Sequence, residues 1–286
     1  MDALLPEELL REILSHNLTT ALDAFFHFHF RWEGPARVLY VPPSRSSHLL
    51  LVSKRWLRVG TPLLYASLRL ASPEHAGVVA TLFRREPGVG RAVRWLRLEG
   101  GFGRDLGHVV KLAPGIHSVY VGLEMRSRDS VAGLKHAFAA LSPVCLWIED
   151  DAHRGNRKIH EARMLLYTHI ANVWQSLKTV TLPEHCWMHL ALAIPLAKSS
   201  IEELSCDAFD ANKWIEEGLM GRILDAAHLR RVVCRGTTAE RGMRRLLKVR
   251  GLAPADVAKF SFVHGPGDDN MLLQSILAEA ESENAP

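Results

Sequence analysis

A glycine-rich stretch in the first half of the chain is the clearest candidate for cofactor chemistry. Residues 100–107 read Gly-Gly-Phe-Gly-Arg-Asp-Leu-Gly and follow a candidate strand, Val93–Leu98. Glycines before a helix let the backbone approach a pyrophosphate, and Glu124, after the next strand, could bind a ribose. The chain could therefore be an α/β nucleotide- or cofactor-binding enzyme that uses Gly101, Gly103 and Glu124. We favour the other interpretation, a turn between a strand and its helix, because the spacing before the last glycine is one residue too long.

Histidines and acidic residues form two further groups that could do chemistry. His27 and His29 flank Phe28 like paired metal ligands, but no third ligand is recognisable, so we favour a half-buried aromatic segment. A candidate acid–base group consists of Asp150, Asp151, His153 and His160. It runs into the polar stretch 154–158, which is typical of a solvated loop. The sequence therefore predicts no catalytic residue, no cofactor and no metal site.

The composition is that of an ordinary globular protein. Of the 286 residues, 48% are hydrophobic and 23% are charged, and the formal net charge is +4. This charge is too small to indicate nucleic-acid binding. The four cysteines form no Cys-x-x-Cys pair, which favours buried free thiols over disulfides or a zinc site.

Two features predict a cytoplasmic or nuclear location. Free thiols are typical of a reducing compartment. The N-terminus carries Asp2, Pro6 and Glu7 in place of the basic and apolar regions of a secretion signal. No run approaches the roughly 18 apolar residues of a membrane span. We therefore expect no membrane partner.

The first elements are predicted to be helices. An apolar stripe within residues 5–14 is formed by Leu9, Leu10, Ile13 and Leu14. Residues 17–48, with four phenylalanines and several prolines and serines, are predicted to be a loop or an inserted segment. A second helical pattern begins at about His48, and Pro62 is expected to bend or restart the chain.

Short strand-like runs alternate with helical runs after about residue 72. The candidate strands are Val93–Leu98, His117–Val121, Val144–Ile148, Lys178–Leu182, Ile201–Cys206, Arg231–Cys234 and Phe260–Val263. They begin about 23 to 34 residues apart, which is the period of a leucine-rich-repeat solenoid. Alternation would leave some side chains exposed on the strand face, namely Lys178, Thr179 or Thr181, and Arg231. The fold class is therefore α/β with a parallel sheet, as an irregular solenoid or, as the rival, a doubly wound sheet.

Three sequence blocks stand out near the N-terminus. They are Leu5-Pro6-Glu7-Glu8-Leu9-Leu10 with Ile13-Leu14, Val52-Ser53-Lys54-Arg55-Trp56, and Pro62-Leu63-Leu64-Tyr65. In this order they resemble the F-box, and specifically the F-box-like proteins abundant in fungi. Residues 17–48 separate the helices further than in a compact F-box. The strand–helix units that follow are similar to the common arrangement of an F-box with leucine-rich repeats.

This resemblance implies two domains and a function. Residues 1–70 would be an F-box-like helical domain with an insertion at about 17–48, and residues 71–286 a leucine-rich-repeat-like α/β domain. The chain would be a non-catalytic substrate receptor that binds an Skp-type adaptor of a cullin ubiquitin ligase and presents a target protein. The adaptor-binding residues that the resemblance implies are Leu5, Pro6, Leu9, Ile13, Val52 and Trp56.

An alternative use of the same apolar residues is structural. They could pack the N-terminal helices onto the repeats instead of forming a partner surface. Docking of an adaptor also requires that the insertion leaves Leu5, Pro6 and Ile13 accessible. The identity of the target is not encoded in any local motif, because a solenoid face recognises its partner through scattered side chains.

Overall fold

The α/β class is confirmed by the strands and helices of the chain. A computed structural model describes residues 5–26, 47–99, 103–123, 130–150, 157–182, 189–235 and 253–263. The chain falls into two compact units. The first unit is Met1–Glu149 with Gly155–Leu166, and the second is Asp150–Arg154 with Tyr167–Pro286. This division differs from the domain boundary expected at residue 70, which stays a prediction.

The helices precede and alternate with eight parallel strands. In chain order the first elements are α1 (Glu7–Leu18), α2 (Leu22–Phe25), a 3-10 helix (Ser47–Leu51), α3 (Lys54–Leu64), β1 (Ser67–Leu70), α4 (Pro73–Arg85), α5 (Pro87–Ala92), β2 (Trp95–Leu98), α6 (Arg104–Leu112), β3 (Ser118–Gly122), α7 (Val131–Ala140) and β4 (Cys145–Glu149). They are followed by α8 (Arg157–Asn172), β5 (Thr179–Thr181), α9 (His189–Lys198), β6 (Glu203–Asp207), α10 (Ala208–Glu216), α11 (Leu219–Leu224), β7 (Arg231–Arg235), α12 (Pro254–Val257) and β8 (Phe260–Val263).

The N-terminal helices have a core of their own. Its buried members are Leu10, Leu14, Leu18, Leu50 and Leu63, from α1, the 3-10 helix and α3. The hydroxyl of Ser53 caps α3 by accepting a hydrogen bond from the Trp56 amide at 3.2 Å. Gly60 faces this core, where a side chain would collide with Leu50. The helix continues through Pro62, so of the two expected effects, a bend or a restart of the chain, the restart does not occur.

The sheet of the first unit is built from strands β1 to β4, paired in sequence order. One register row across the sheet is Leu68, Leu96, Val119 and Leu146. These side chains are buried, as are those of the parallel row two residues further on. The sheet therefore has one aliphatic face, and α4, α6 and α7 pack side by side as its neighbouring helices.

Strands β5 to β8 of the second unit are also parallel and in sequence order. Their buried row is Val180, Leu204, Val232 and Phe260. The opposite face is polar, because Thr179, Glu203 and Arg231 are aligned across it. The strand order reverses in neither unit, whereas a doubly wound sheet reverses at its switch point.

All seven strands expected from the sequence are present, with ends that differ by at most two residues. Strand β1 was missed, because Leu68 closely follows the apolar block 62–65 and was assigned to the same run as Leu63 and Leu64. Helix α4 was missed as well, although Ser72 caps it through the His75 amide and Pro73 occupies its first turn. The sequence did not place helices α2, α5, α9, α10 and α12 either. Among the described residues, none of the helices combines the length and apolar character needed to cross a membrane.

Candidate functional site

Five large apolar side chains are exposed on the N-terminal helices and the short connection before α3. Leu9 is 53% exposed, Ile13 47% and Val52 55%. Leu51 and Leu57 are also exposed. We refer to Leu9, Ile13, Leu51, Val52 and Leu57 as the N-terminal apolar surface. Val52 lies in the short connection between the 3-10 helix and α3, and α3 packs against both α1 and the 3-10 helix.

The remaining residues of the implied adaptor site have different surroundings. Pro6 is exposed at the start of α1. Leu5 and Trp56 are partly buried and pack against the core of the N-terminal helices. The six residues therefore divide into two groups. Pro6, Leu9, Ile13 and Val52 are exposed, and Leu5 and Trp56 pack against the core. About half of the surface of Leu9, Ile13 and Val52 is exposed to solvent.

Charged contacts hold the start of α1 on α3. Arg58 donates hydrogen bonds to both carboxylate oxygens of Glu7, and Arg55 donates to the backbone oxygen of Leu5. The hydrogen bond from Arg58 and the positive charges of Arg58 and Arg55 lower the pKa of Glu7. Glu7 therefore stays ionised at neutral pH, and the two helices that carry the apolar surface are joined at its edge.

The described part of the insertion runs to a different part of the first unit. After α1 ends, the chain forms the single-turn helix α2, and Phe25 and Phe26 become buried there. They pack against Tyr120 and the partly buried Trp95 and Trp147. Phe25 and Phe26 thus lie on the sheet, while residues 27–46 are outside the described part of the chain.

Phe25 and Phe26 cover part of the face of strands β1 to β4 that lies opposite the aliphatic face. Its central register row is Arg69, Arg97, Tyr120 and Trp147, one residue from each strand. We refer to these four residues with Trp95, Glu99 and Glu149 as the aromatic strand face. Its side chains are aromatic or charged, in contrast to the aliphatic face on the other side of the sheet.

Arg97 is the centre of the aromatic strand face. Its side chain is fully buried and ion-paired with Glu99, and its guanidinium carbon lies 3.9 Å from the ring centroid of Tyr120. Nη1 of Arg97 donates a hydrogen bond of 2.7 Å to the backbone oxygen of Phe25. Arg69 donates to Glu99 as well, at 2.6 Å. The arginine charge is thus balanced on the face, and one of its donors recognises the backbone of the inserted segment.

Tyr120 is locked in its neutral form. Its hydroxyl donates a hydrogen bond to the Glu149 carboxylate. Burial and the adjacent Glu149 charge raise the pKa of Tyr120 well above its usual range, more than the nearby Arg97 lowers it. Tyr120 is therefore a hydrogen-bond donor and a packing surface on this face.

The strand face of the second unit is polar and partly ion-paired. Lys178 and Arg231 are exposed as expected, whereas Thr179 is partly buried and Thr181 is buried. Nζ of Lys178 lies 3.0 Å from Oε1 of Glu202. The hydrogen bond and charge of Lys178 lower the pKa of Glu202, with a smaller contribution from Arg230. This face is suited to polar contacts.

The glycine-rich stretch is described only from Gly103 onward, so Gly101 and Glu124 lie outside the described residues. Gly103 precedes α6 in an extended conformation, and a Cβ there would lie 3.0 Å from Cβ of Pro73. Gly107 lies within α6, where a Cβ would lie 3.0 Å from Cβ of His136 on α7. Both described glycines therefore allow close packing of neighbouring elements.

The other chemical candidates are placed only in part. His27, His29, Asp151 and His153 lie outside the described residues. Asp150 is buried, so its placement in a solvated loop was wrong, and His160 is exposed on α8. Within the described ranges, no group of three or more histidine, cysteine or acidic residues is arranged to hold a metal ion.

The aromatic strand face was not anticipated from the sequence. The sequence does contain a sign of this face. In β2, Trp95 and Arg97 alternate with leucines, and in β3, Tyr120 lies between two valines. The sequence does not show that the insertion would cover them. Comparisons with known proteins found no matching family model and no matching curated protein. The function is therefore inferred from these two surfaces and the F-box resemblance.

Proposed function

We propose that the chain is a non-catalytic substrate receptor of a cullin-based ubiquitin ligase. The N-terminal helices act as an F-box that binds an Skp-type adaptor, and the strand–helix region, 71–286, acts as an irregular leucine-rich-repeat-like solenoid that binds a target protein. Ubiquitin transfer is carried out by other subunits. The protein acts in the cytoplasm, the nucleus or both. The observation that carries this proposal is the exposure of Leu9, Ile13 and Val52 on helices that already have their own core.

The exposed residues are more than the fold requires. Helices α1 and α3 are held together by buried leucines and by the Glu7–Arg58 ion pair. Leu9 and Ile13, one helical turn apart on α1, leave about half of their side chains in water. Full burial of an aliphatic side chain contributes roughly 1.5–3 kcal/mol, so covering the exposed half of each contributes about 1 kcal/mol. Such surfaces typically mark contacts with a partner.

The strand order supports the solenoid part of the proposal. Within each unit every strand pairs with the next strand in sequence, which is how repeats stack in a solenoid. Strand faces in such proteins present side chains at alternate positions to a partner. The surfaces proposed for target binding are the polar strand face around Lys178 and Arg231 and the aromatic strand face, which Phe25 and Phe26 partly cover.

Co-expression with an Skp-type adaptor tests the adaptor interface. We expect the wild-type chain to co-purify with the adaptor and the variant Leu9→Glu, Ile13→Glu to bind at least about tenfold more weakly, because two charges would replace apolar contacts. The melting temperature should stay within a few degrees of the wild type, since both side chains are largely exposed. Affinity would be measured by titration calorimetry on purified proteins.

A matched control is available on α4. Val78 is 69% exposed and lies outside the N-terminal apolar surface, so Val78→Glu makes the same kind of change elsewhere. This variant should bind the adaptor like the wild type. Failure of the wild-type chain to bind any Skp-type adaptor, or equal binding by the Leu9→Glu, Ile13→Glu variant, would remove the basis of the proposal.

A further inference from the structure

The aromatic strand face of the first unit is occupied by a short piece of the same chain. Phe26 stacks on Trp147 with ring centroids 4.1 Å apart and an interplanar angle of 3°. Phe25 contacts Trp95 with centroids 6.2 Å apart. Both phenylalanines are almost completely buried, at 1% and 3% exposure. Two adjacent rings therefore cover part of this surface.

The segment is held by the face and has little structure of its own. Helix α2 has four residues, which is one turn, and a helix this short has no independent stability. The segment is not a strand of the sheet. Its backbone is recognised by the hydrogen bond from Arg97 to the Phe25 oxygen, and its side chains by ring contacts. A peptide from another protein would be recognised by the same kinds of contact.

The face has the composition of a binding surface. Tryptophan, tyrosine and arginine are the residues that dominate protein-binding hot spots, and the central row of this face consists of such residues. Trp95 and Trp147 remain partly exposed with the segment in place, so the aromatic surface extends beyond what Phe25 and Phe26 cover. A face needed only for packing would be expected to be aliphatic, like the other side of this sheet.

We propose that the aromatic strand face is a docking site for a partner peptide that carries two adjacent aromatic side chains, and that residues 21–26 are its built-in occupant. The partner peptide displaces Phe25 and Phe26 and takes over the hydrogen bond from Arg97. Its apparent affinity is lowered by the fraction of molecules in which the face is occupied. The peptide belongs to the target protein of the proposed receptor, and in this respect alone the inference rests on the proposed function.

A peptide with the chain's own sequence is the probe for this site. It is a fluorescein-labelled, C-terminally amidated peptide of residues 19–26, Thr-Thr-Ala-Leu-Asp-Ala-Phe-Phe, compared with a version in which both phenylalanines are alanine. The full chain is used as wild type and as the variant Phe25→Ala, Phe26→Ala, in which the internal occupant is removed. Binding is followed by fluorescence anisotropy without any adaptor, so the result is independent of the F-box proposal.

We expect the double variant to bind the peptide and the wild type to bind it at least about tenfold more weakly, because the internal segment competes. The alanine peptide should bind the double variant at least about tenfold more weakly than the phenylalanine peptide. Adding Trp147→Ala to the double variant should weaken binding to a similar extent, because the stacking partner of Phe26 is lost.

Three results would overturn the inference. One is a folded double variant that does not bind the peptide, and another is equal binding by wild type and double variant. The third is loss of cooperative thermal unfolding in the double variant, because a segment that the fold requires is part of the core and not a displaceable occupant. Fluorescence anisotropy decides the first two results, and circular dichroism with a thermal melt of each variant decides the third.

Discussion

Two glycines of α5 show how far the surroundings of a single residue decide its tolerance to change. A Cβ at Gly90 would clash with the backbone oxygen of Leu112 and lie 3.2 Å from the Phe83 ring. A Cβ at Gly88 would have no atom within 4 Å. The backbone oxygen belongs to the end of α6 and cannot rotate away as a side chain could. Residue type alone does not distinguish these positions.

We expect Gly90→Ala to destabilise the protein by about 1–3 kcal/mol through overpacking. Gly88→Ala, two residues earlier in the same helix, should be neutral or slightly stabilising, because alanine favours a helix over glycine. Urea unfolding of the two variants and the wild type measures the difference. Equal midpoints for the two variants would contradict the close approach of α5 and α6.

Tyr120 provides a test of the electrostatics on the aromatic strand face. Its pKa is raised in the folded protein, so its contribution to stability is fully present below the unfolded value of about 10 and is lost as the pH rises above that value. Tyr120→Phe removes this ionisation together with the hydrogen bond to Glu149. We expect the wild type to be more stable than Tyr120→Phe at about pH 8, and this difference to shrink above about pH 10. Urea unfolding at a series of pH values measures it, and parallel stability curves over the alkaline range would contradict the raised pKa.

At the scale of elements, α3 links the N-terminal core to the proposed adaptor site. It carries Trp56 and Leu57, and its first turn is capped by Ser53. Trp56 packs against the buried leucines of α1 and the 3-10 helix, whereas Leu57 is exposed. The insertion joins α1 to this helix, and the described part of it forms α2 on the sheet. Helix propensity predicts α1 and α3, but the docking of α2 depends on rings contributed by three distant strands.

The cap of α3 predicts a stability effect. Ser53→Ala removes the acceptor for the Trp56 amide and should cost about 1 kcal/mol of unfolding free energy. Ser53→Asp keeps an acceptor at the N-terminus of the helix and should retain most of that stability. Chemical denaturation distinguishes the two, and a loss of equal size in both variants would show that the cap does not stabilise α3.

At the scale of the whole molecule, strand–helix alternation organises both units. The same period runs from the first unit into the second, yet the strand faces differ: aromatic and charged around Arg97, polar around Thr179 and Arg231. The buried strand faces of the two units resemble each other in being apolar, because each packs against helices. The opposite strand faces of the two units are therefore chemically different, and the proposed adaptor site lies on the N-terminal helices.

Seven of the eight described strands and about half of the described helices could be placed from periodicity, because burial on one face of a strand or helix leaves a pattern in neighbouring residues. The amphipathic start of α1 could be recognised for the same reason. The sequence could not predict whether Leu9, Ile13 and Val52 are buried or exposed. On α1, for example, buried and exposed apolar residues belong to the same apolar stripe. Only the tertiary structure separated the buried leucines of the core from the exposed side chains. It also brought Phe25 and Phe26 onto Trp95, Tyr120 and Trp147, a contact between residues more than 60 positions apart that no local pattern records.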